Sequence, residues 1–384
     1  MSGLRVGLVA GEASGDLLGV GMMQAIRERY PDAIFEGVAG PRMRAAGCDT
    51  WDQSESVSVM GLAEVLGHLP RLLRLRRKLV KRFRRDPPDA FVGIDAPDFN
   101  LGLERQLRRA GIPTTHYVSP TVWAWRASRL KTISRSTDLV LCVFPFEKEY
   151  YDQHGIRAEF VGHPLADEIP LHLDGARARR QLGLNETASL IAVLPGSRRA
   201  EVKQLGADFA GAIAWLHGQS NDTRFVVPLA TPEVRRSFEA ALAGIDPDVP
   251  VTLLDGHSRE AMAAADAVLL ASGTASLEAA LLKRPMVVAY RVSKLTMWLL
   301  DTFRLIKVRH FALPNLLTGE DLVPEFLQAE VTPESLGRAL LGELNDEARR
   351  SEAIRAFEAI HLSLRRDASQ RAAEAVLRLI GRSA

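Results

Sequence analysis

The feature that most constrains this chain is an alternation that starts twice. Short apolar runs, each about one strand long, are separated by segments whose apolar residues recur every three or four positions. In the first half the runs fall at 5–10, 34–38, 90–95, 113–118, 138–143 and 158–161, with helical patterns at 16–29, 71–85, 100–110 and 146–154 between several of them. Strands that alternate with helices build a parallel sheet covered on its faces. Residues 163–188 then turn mixed and turn-rich, and the pattern begins again with runs at 189–194, 224–229, 251–254, 267–270 and 286–290. The expectation is an α/β protein of two doubly wound, Rossmann-like domains facing a cleft, over 1–165 and 187–345. Residues 346–384 read as helices alone, free to pack back on the N-terminal domain. A length of 384 residues suits two domains, and 47% hydrophobic with 25% charged residues suits a packed core.

In such sheets ligands bind beyond the carboxyl ends of strands, so the loops there carry the chemistry. The stretch Gly11-Glu-Ala-Ser-Gly-Asp16 follows the run at 5–10. It has the glycines of a nucleotide loop, yet it offers two carboxylates and no lysine. That composition suits the hydroxyls of a neutral sugar, with Gly11, Ser14 and Asp16 as residues that would bind it and Glu12 as a second carboxylate near the chemistry. The stretch Gly93-Ile-Asp-Ala-Pro-Asp-Phe-Asn100 follows another run. Asp95 and Asp98 lie three residues apart around a proline, and two crowded carboxylates raise the pKa of one of them toward a useful value. Asp95 reads as a turn cap and Asp98 as the general base. Asn100 and the aromatic pair Trp123 and Trp125 complete the expected acceptor side, although packing explains the tryptophans equally well. His116 and His163 read as structural.

Two loops of the second half suit phosphate. Leu194-Pro-Gly-Ser-Arg-Arg199 puts a turn, the hydroxyl of Ser197 and the guanidinium of Arg198 directly after a buried run, and guanidinium forks match phosphate oxygens in pairs. Ala271-Ser-Gly-Thr274 precedes a helix that Ser272 or Thr274 can cap, with the amides at Gly273 facing an anion. Glu278 lies one turn in, where a carboxylate can accept both hydrogens of a ribose diol. Together they read as a nucleoside-diphosphate site. Neither GxGxxG nor GxxxxGK[ST] occurs, which argues against NAD and against ATP hydrolysis.

The net charge of +2 hides an asymmetry. Residues 71–85 hold nine basic residues and no acidic one, so the rest of the chain sums to −7. This is no general nucleic-acid binder. It has one place for an anionic partner. Leu72, Leu75, Leu79 and Phe83 recur at steps of 3, 4 and 4, an apolar stripe on a cationic helix. An ordinary crossover helix explains the stripe; nine unopposed cations point to an anionic membrane surface, contacted through Leu69, Leu72, Leu73, Arg76, Arg77, Lys81 and Arg82 within 57–85. Cys48 and Cys142 read as reduced thiols.

Seven stretches in order make the chain resemble the lipid-A-disaccharide synthase family: Gly11–Asp16, Gly93–Asn100, His116–Arg126, Pro145-Phe-Glu147, Leu194–Arg198, Ala271–Thr274 with Leu277-Glu278, and Pro314-Asn-Leu-Leu317. The resemblance implies a GT-B glycosyltransferase that inverts the anomeric centre with no metal and no cofactor. It implies UDP-2,3-diacylglucosamine as donor and 2,3-diacylglucosamine 1-phosphate as acceptor, giving a β-1,6 disaccharide 1-phosphate and UDP. It places the protein on the cytoplasmic face of the inner membrane, supports Asp98 as base, and makes Asn315 a donor contact. A homodimer stays open. Two alternatives also stay open: a UDP-N-acetylglucosamine 2-epimerase or other UDP-sugar enzyme of the same fold, and a non-catalytic UDP-sugar-binding protein at the membrane surface.

Overall fold

A computed structural model describes residues 3–11, 13–53, 57, 62–120, 129–292 and 309–382. The chain divides into two units, one of residues 1–167 with 364–384, the other of residues 168–363.

In the first unit the elements run β1 (Arg5–Ala10), α1 (Ala13–Arg29), β2 (Ile34–Ala39), α2 (Pro41–Ala45), β3 (Cys48–Gln53), α3 (Leu62–Arg85), β4 (Ala90–Ile94), α4 (Pro97–Arg108), β5 (Thr114–Tyr117), α5 (Leu130–Ser136), β6 (Leu139–Cys142), α6 (Pro145–Asp152), β7 (Ala158–Phe160) and α7 (Pro164–Glu168). Among the described residues, seven parallel strands form one sheet in the order β3-β2-β1-β4-β5-β6-β7. β4 is apolar and buried at every position, as a strand with helices on both faces must be. The topological switch point lies between β1 and β4, which pair with Val9 opposite Gly93 and Ala10 opposite Ile94. The loops carrying Gly11 and Asp95 therefore leave the sheet side by side.

One face of this sheet is covered by α3. Leu75, Leu79, Val80 and Phe83 are buried in one cluster with Val9, Val38, Phe91, Phe99 and Leu103. The Phe83 ring meets Phe91 edge-on at 5.4 Å. Burying side chains of this size stabilises by about 1.5–3 kcal/mol each. The helix runs on through Pro70. A proline removes one helical hydrogen bond and does not by itself end a helix whose apolar stripe is buried beyond it.

The second unit runs α8 (Gly175–Gln181), β8 (Leu190–Leu194), α9 (Arg199–Gln219), β9 (Arg224–Leu229), α10 (Pro232–Leu242), β10 (Val251–Asp255), α11 (Ser258–Ala264), β11 (Ala267–Ala271), α12 (Thr274–Leu281), β12 (Met286–Tyr290), α13 (Leu313–Thr318), β13 (Glu325–Leu327), α14 (Pro333–Asn345) and α15 (Glu347–Leu364). Its described strands form a parallel sheet in the order β10-β9-β8-β11-β12-β13, with the switch point between β8 and β11. Leu270 pairs with Leu194, so the loops after β8 and β11 are neighbours as well.

The last helix, α16 (Ala368–Leu379), belongs to the first unit. Ala372, Ala373, Val376 and Leu377 share its core with Met22, Met23 and Ile26 of α1, and Arg29 pairs with Glu374 at 2.6 Å. The Asp167 carboxylate accepts from the Asp367 and Ala368 amides at 2.9 and 2.7 Å, fixing the start of that helix. Cys48 and Cys142 are buried and free.

Candidate functional site

At the first switch point the chain bends sharply. Asp95 and Ala96 both have positive φ, 53° and 43°, between β4 and α4. Two consecutive non-glycine residues in the left-handed region are costly and persist only when their surroundings hold them. Asn100 does the holding. Its buried amide group donates to the carbonyls of Val9, Ile94 and Asp95 at 3.2, 3.3 and 2.8 Å. This corrects its expected acceptor role: Asn100 is fully buried and ties β1 to the β4 loop. Gly11 is explained by the same crossing, because a Cβ there would lie 2.4 Å from the Ala96 methyl. The glycine lets two loops meet, whatever else approaches them.

Asp16 is corrected too. The chain turns into α1 at Ala13, so Ser14 and Asp16 lie in its first turn. The Asp16 carboxylate is buried and accepts from the Arg42 and Met43 amides at 2.8 and 3.0 Å, so it caps α2 instead of facing a sugar. Ser14 remains exposed. Glu12, Trp123 and Trp125 lie outside the described residues.

Asp98, at the first turn of α4, differs from all of these. Its side chain is 82% exposed and pairs with the Arg129 guanidinium. Arg76 reaches over from α3 and donates to the Asp98 carbonyl at 2.9 Å. Neither arginine announced itself in the sequence: Arg129 is 31 residues away, and Arg76 is one of nine cations. Arg76 therefore leaves the expected membrane face, as does Leu72, which packs on the α3 core. Arg82 lies over the Trp51 ring, 3.7 Å from its centroid. The exposed residues of α3 include Arg74, Arg77, Lys78 and Lys81, with Leu69 and Leu73 41% and 37% exposed.

Beneath α4, Glu104 and His116 form a fully buried pair at 2.7 Å. Burial pushes the Glu104 carboxyl up, and the imidazole charge and hydrogen bond oppose that. His163 accepts from the Leu165 amide through Nδ1 at 3.2 Å, and burial pushes its pKa down to about 4. Both histidines have structural partners.

In the second unit the two phosphate loops differ from expectation in opposite ways. Glu201 turns back from α9 and accepts from the Ser197 and Arg198 amides at 2.9 and 3.3 Å. A carboxylate of the chain itself thus fills that amide cradle, leaving the Ser197 hydroxyl and the half-exposed Arg198 guanidinium, 3.6 Å from Glu201, to meet a ligand. At α12 the N-cap is Gly273, with no side-chain cap, and both Gly273 and Thr274 are exposed. This helix start is open to an anion. Ser272 does not cap it, since its hydroxyl donates to the Phe311 carbonyl at 3.1 Å.

Asn315 is buried and joins Val323 and Glu325, its Nδ2 donating to the Val323 carbonyl at 2.9 Å and its Oδ1 accepting from the Val323 amide at 2.8 Å. Glu325 in turn accepts from the Phe311 amide at 2.6 Å. Asn315 therefore braces the segment that holds Ser272 and does not face a donor. Glu278 is half-buried; burial pushes its carboxyl up, Arg259 pulls it down and Glu168 adds to the rise. Among the described residues no group of three or more His, Cys, Asp or Glu is placed to hold a metal ion, and no helix is long and apolar enough to cross a membrane.

A family model described as lipid-A-disaccharide synthetase matches residues 6–379. A lipid-A-disaccharide synthase of Hahella chejuensis is 53% identical over 98% of this chain and 94% of its own length. One from Pseudomonas aeruginosa (strain UCBPP-PA14) is 53% identical over 99% of both chains. Among solved structures, Arabidopsis thaliana UGT89C1 complexed with UDP superposes with TM-score 0.66 at 15% identity, covering 99% of this chain and all of that one. A UDP-GlcNAc 2-epimerase of Neisseria meningitidis bound to UDP-GlcNAc gives 0.65 at 14% identity, over 98% and 100%. At those identities the likeness is one of fold alone, so the epimerase alternative gains nothing beyond the shared architecture. Two Rossmann sheets and full-length identity above one half lead to one conclusion: the chain belongs to the lipid-A-disaccharide synthase family, GT-B glycosyltransferases of lipid A biosynthesis.

Proposed function

We propose that the protein transfers the sugar of UDP-2,3-diacylglucosamine to O6 of 2,3-diacylglucosamine 1-phosphate, releasing UDP and a β-1,6-linked disaccharide 1-phosphate. The observation that carries this reading is the 53% identity, over nearly the whole chain, to proteins named for that synthesis. Asp98 takes the proton of O6 as that oxygen bonds to the anomeric carbon. The bond to UDP breaks on the opposite side, which inverts the centre. The exposed amides at Gly273 and Thr274 and the Arg198 guanidinium offset the charge that grows on the leaving diphosphate. The Ser197 hydroxyl adds a donor, and Glu278 accepts from the ribose hydroxyls. Purified protein given both acylated sugars and no metal should release UDP and disaccharide in equal amounts. UDP without disaccharide would mean a hydrolase, and neither product would remove the reading.

Acylated substrates reside in a membrane, and the exposed cationic face of α3, with Leu69 and Leu73, is the surface proposed to dock on the cytoplasmic leaflet. Each basic residue near an anionic surface contributes about 1 kcal/mol. Changing Arg77, Lys78 and Lys81 to glutamate should weaken binding to phosphatidylglycerol vesicles by about 100-fold or more. Unchanged vesicle binding would exclude this face.

A further inference from the structure

Among the described residues two arginines grip Asp98, and the two grips differ. Arg76 holds the main chain. Its Nη2 donates to the Asp98 carbonyl at 2.9 Å, and its guanidinium carbon lies 5.0 Å from the Phe99 ring centroid. Gly102 on α4 makes room for it, since a Cβ there would stand 2.8 Å from that guanidinium carbon. Arg129 holds the carboxylate. Here the exposures are inverted: the arginine side chain is 18% exposed and the carboxylate side chain 82%. An ion pair with so exposed a partner adds little stability. A guanidinium set largely within the fold, at the mouth of the β4 loop, is placed to meet something else as well.

We infer that Arg129 recognises the anionic group of the acceptor sugar, a phosphate monoester on its anomeric carbon, and that this binding draws the Arg129 guanidinium off the Asp98 carboxylate, the base. The inference rests on the function proposed above. In a hexopyranose 1-phosphate, C1 and C5 both bond the ring oxygen, so the phosphate and the 6-hydroxymethyl group flank the same edge of the ring. A base for O6 and a reader of the phosphate can then be close neighbours, as Asp98 and Arg129 are. A phosphate monoester carries up to two charges and three acceptor oxygens, and a guanidinium fork fits it in pairs, so it competes well against one exposed carboxylate.

While Arg129 holds the Asp98 carboxylate, one of its oxygens is taken up by the guanidinium. Once the guanidinium turns to phosphate, the carboxylate accepts the O6 proton. The O6–C1 bond forms, and the electron pair of the broken C1–O bond leaves with UDP. Arg76 keeps the Asp98 backbone in place while the side chain changes partner. Asp16, a carboxylate that would repel phosphate, is turned away to the α2 amides.

The test compares two acceptors on the full-length protein at saturating donor: 2,3-diacylglucosamine 1-phosphate and the same sugar without its phosphate. The parent should favour the phosphorylated acceptor. Arg129→Gln should lose about 10–100-fold in kcat/KM on that acceptor, mostly through KM, and should hold or gain rate on the other. Arg129→Lys, which keeps the charge and loses the fork, should recover part of the loss. Circular dichroism and the UDP Kd of both variants check that they fold and bind donor. An equal loss on the two acceptors, or an undiminished preference for phosphate in Arg129→Gln, would overturn the inference while leaving the proposed function standing. A parent protein that makes disaccharide from neither acceptor would end the functional reading itself and this inference with it.

Discussion

Asp98→Asn lowers turnover by about a thousandfold and leaves UDP affinity unchanged within about twofold. A positioned general base contributes roughly 10²–10⁴ in rate. The amide is the same size as the carboxylate and cannot take a proton. Nothing else in the surroundings need move. The side chain is 82% exposed, so no packing is lost. The backbone stays tied through the Asp98 carbonyl to Arg76. Proposed donor contacts belong to the other unit, at Arg198, Gly273, Thr274 and Glu278, which is why UDP binding is the internal control. The measurement is the steady-state rate with both acylated sugars, beside a UDP titration of the same preparation. Turnover within a few fold of the parent would show that another group takes the proton. Loss of UDP binding together with turnover would show that the substitution disturbed the fold.

Glu104→Ala destabilises the protein by about 3–5 kcal/mol, the cost typical of breaking a fully buried pair from one side. The alanine strips His116 of its one described side-chain hydrogen bond and leaves a cavity beneath α4. The double variant Glu104→Leu with His116→Phe removes both polar groups and recovers most of that loss, because a buried pair adds little over apolar packing of similar volume. Urea unfolding midpoints of Glu104→Leu, His116→Phe and the double variant, beside Glu104→Ala and the parent, measure the coupling. A Glu104→Ala midpoint equal to that of the parent would show that the pair contributes nothing. α4 starts with the turn that carries Asp98, so the single variants should also lose activity in step with their folded fraction.

The strongly apolar strands of both sheets were legible because burial on two faces writes an unbroken run into the sequence. β3 and β13 were not. They lie at sheet edges, one is polar at four of its six positions (Cys48-Asp-Thr-Trp-Asp-Gln53) and the other is three residues long, so neither has the pattern of a buried strand. The site residues show a parallel limit. Asp16, Asn100, Ser272 and Asn315 are polar residues in short motifs at loops and first helical turns, and that is equally the composition of a ligand loop and of a loop braced by its own side chains. Their partners decide the matter, because a buried polar group must find hydrogen bonds. The partners lie 26 residues away for Asp16, 91 for one of the Asn100 carbonyls and 39 for Ser272.

By itself the sequence determined the two α/β halves, the loops at their strand ends, the cationic helix and the resemblance to a family, since each is written in local periods or short contiguous motifs. Only the tertiary structure decided that β1 lies beside β4 and β8 beside β11, so that the loops meet in pairs, and that Arg76 faces Asp98 instead of lipid. It also decided which carboxylate stayed exposed. Strand order and hydrogen-bond partners join residues far apart in the chain, and no local pattern records them.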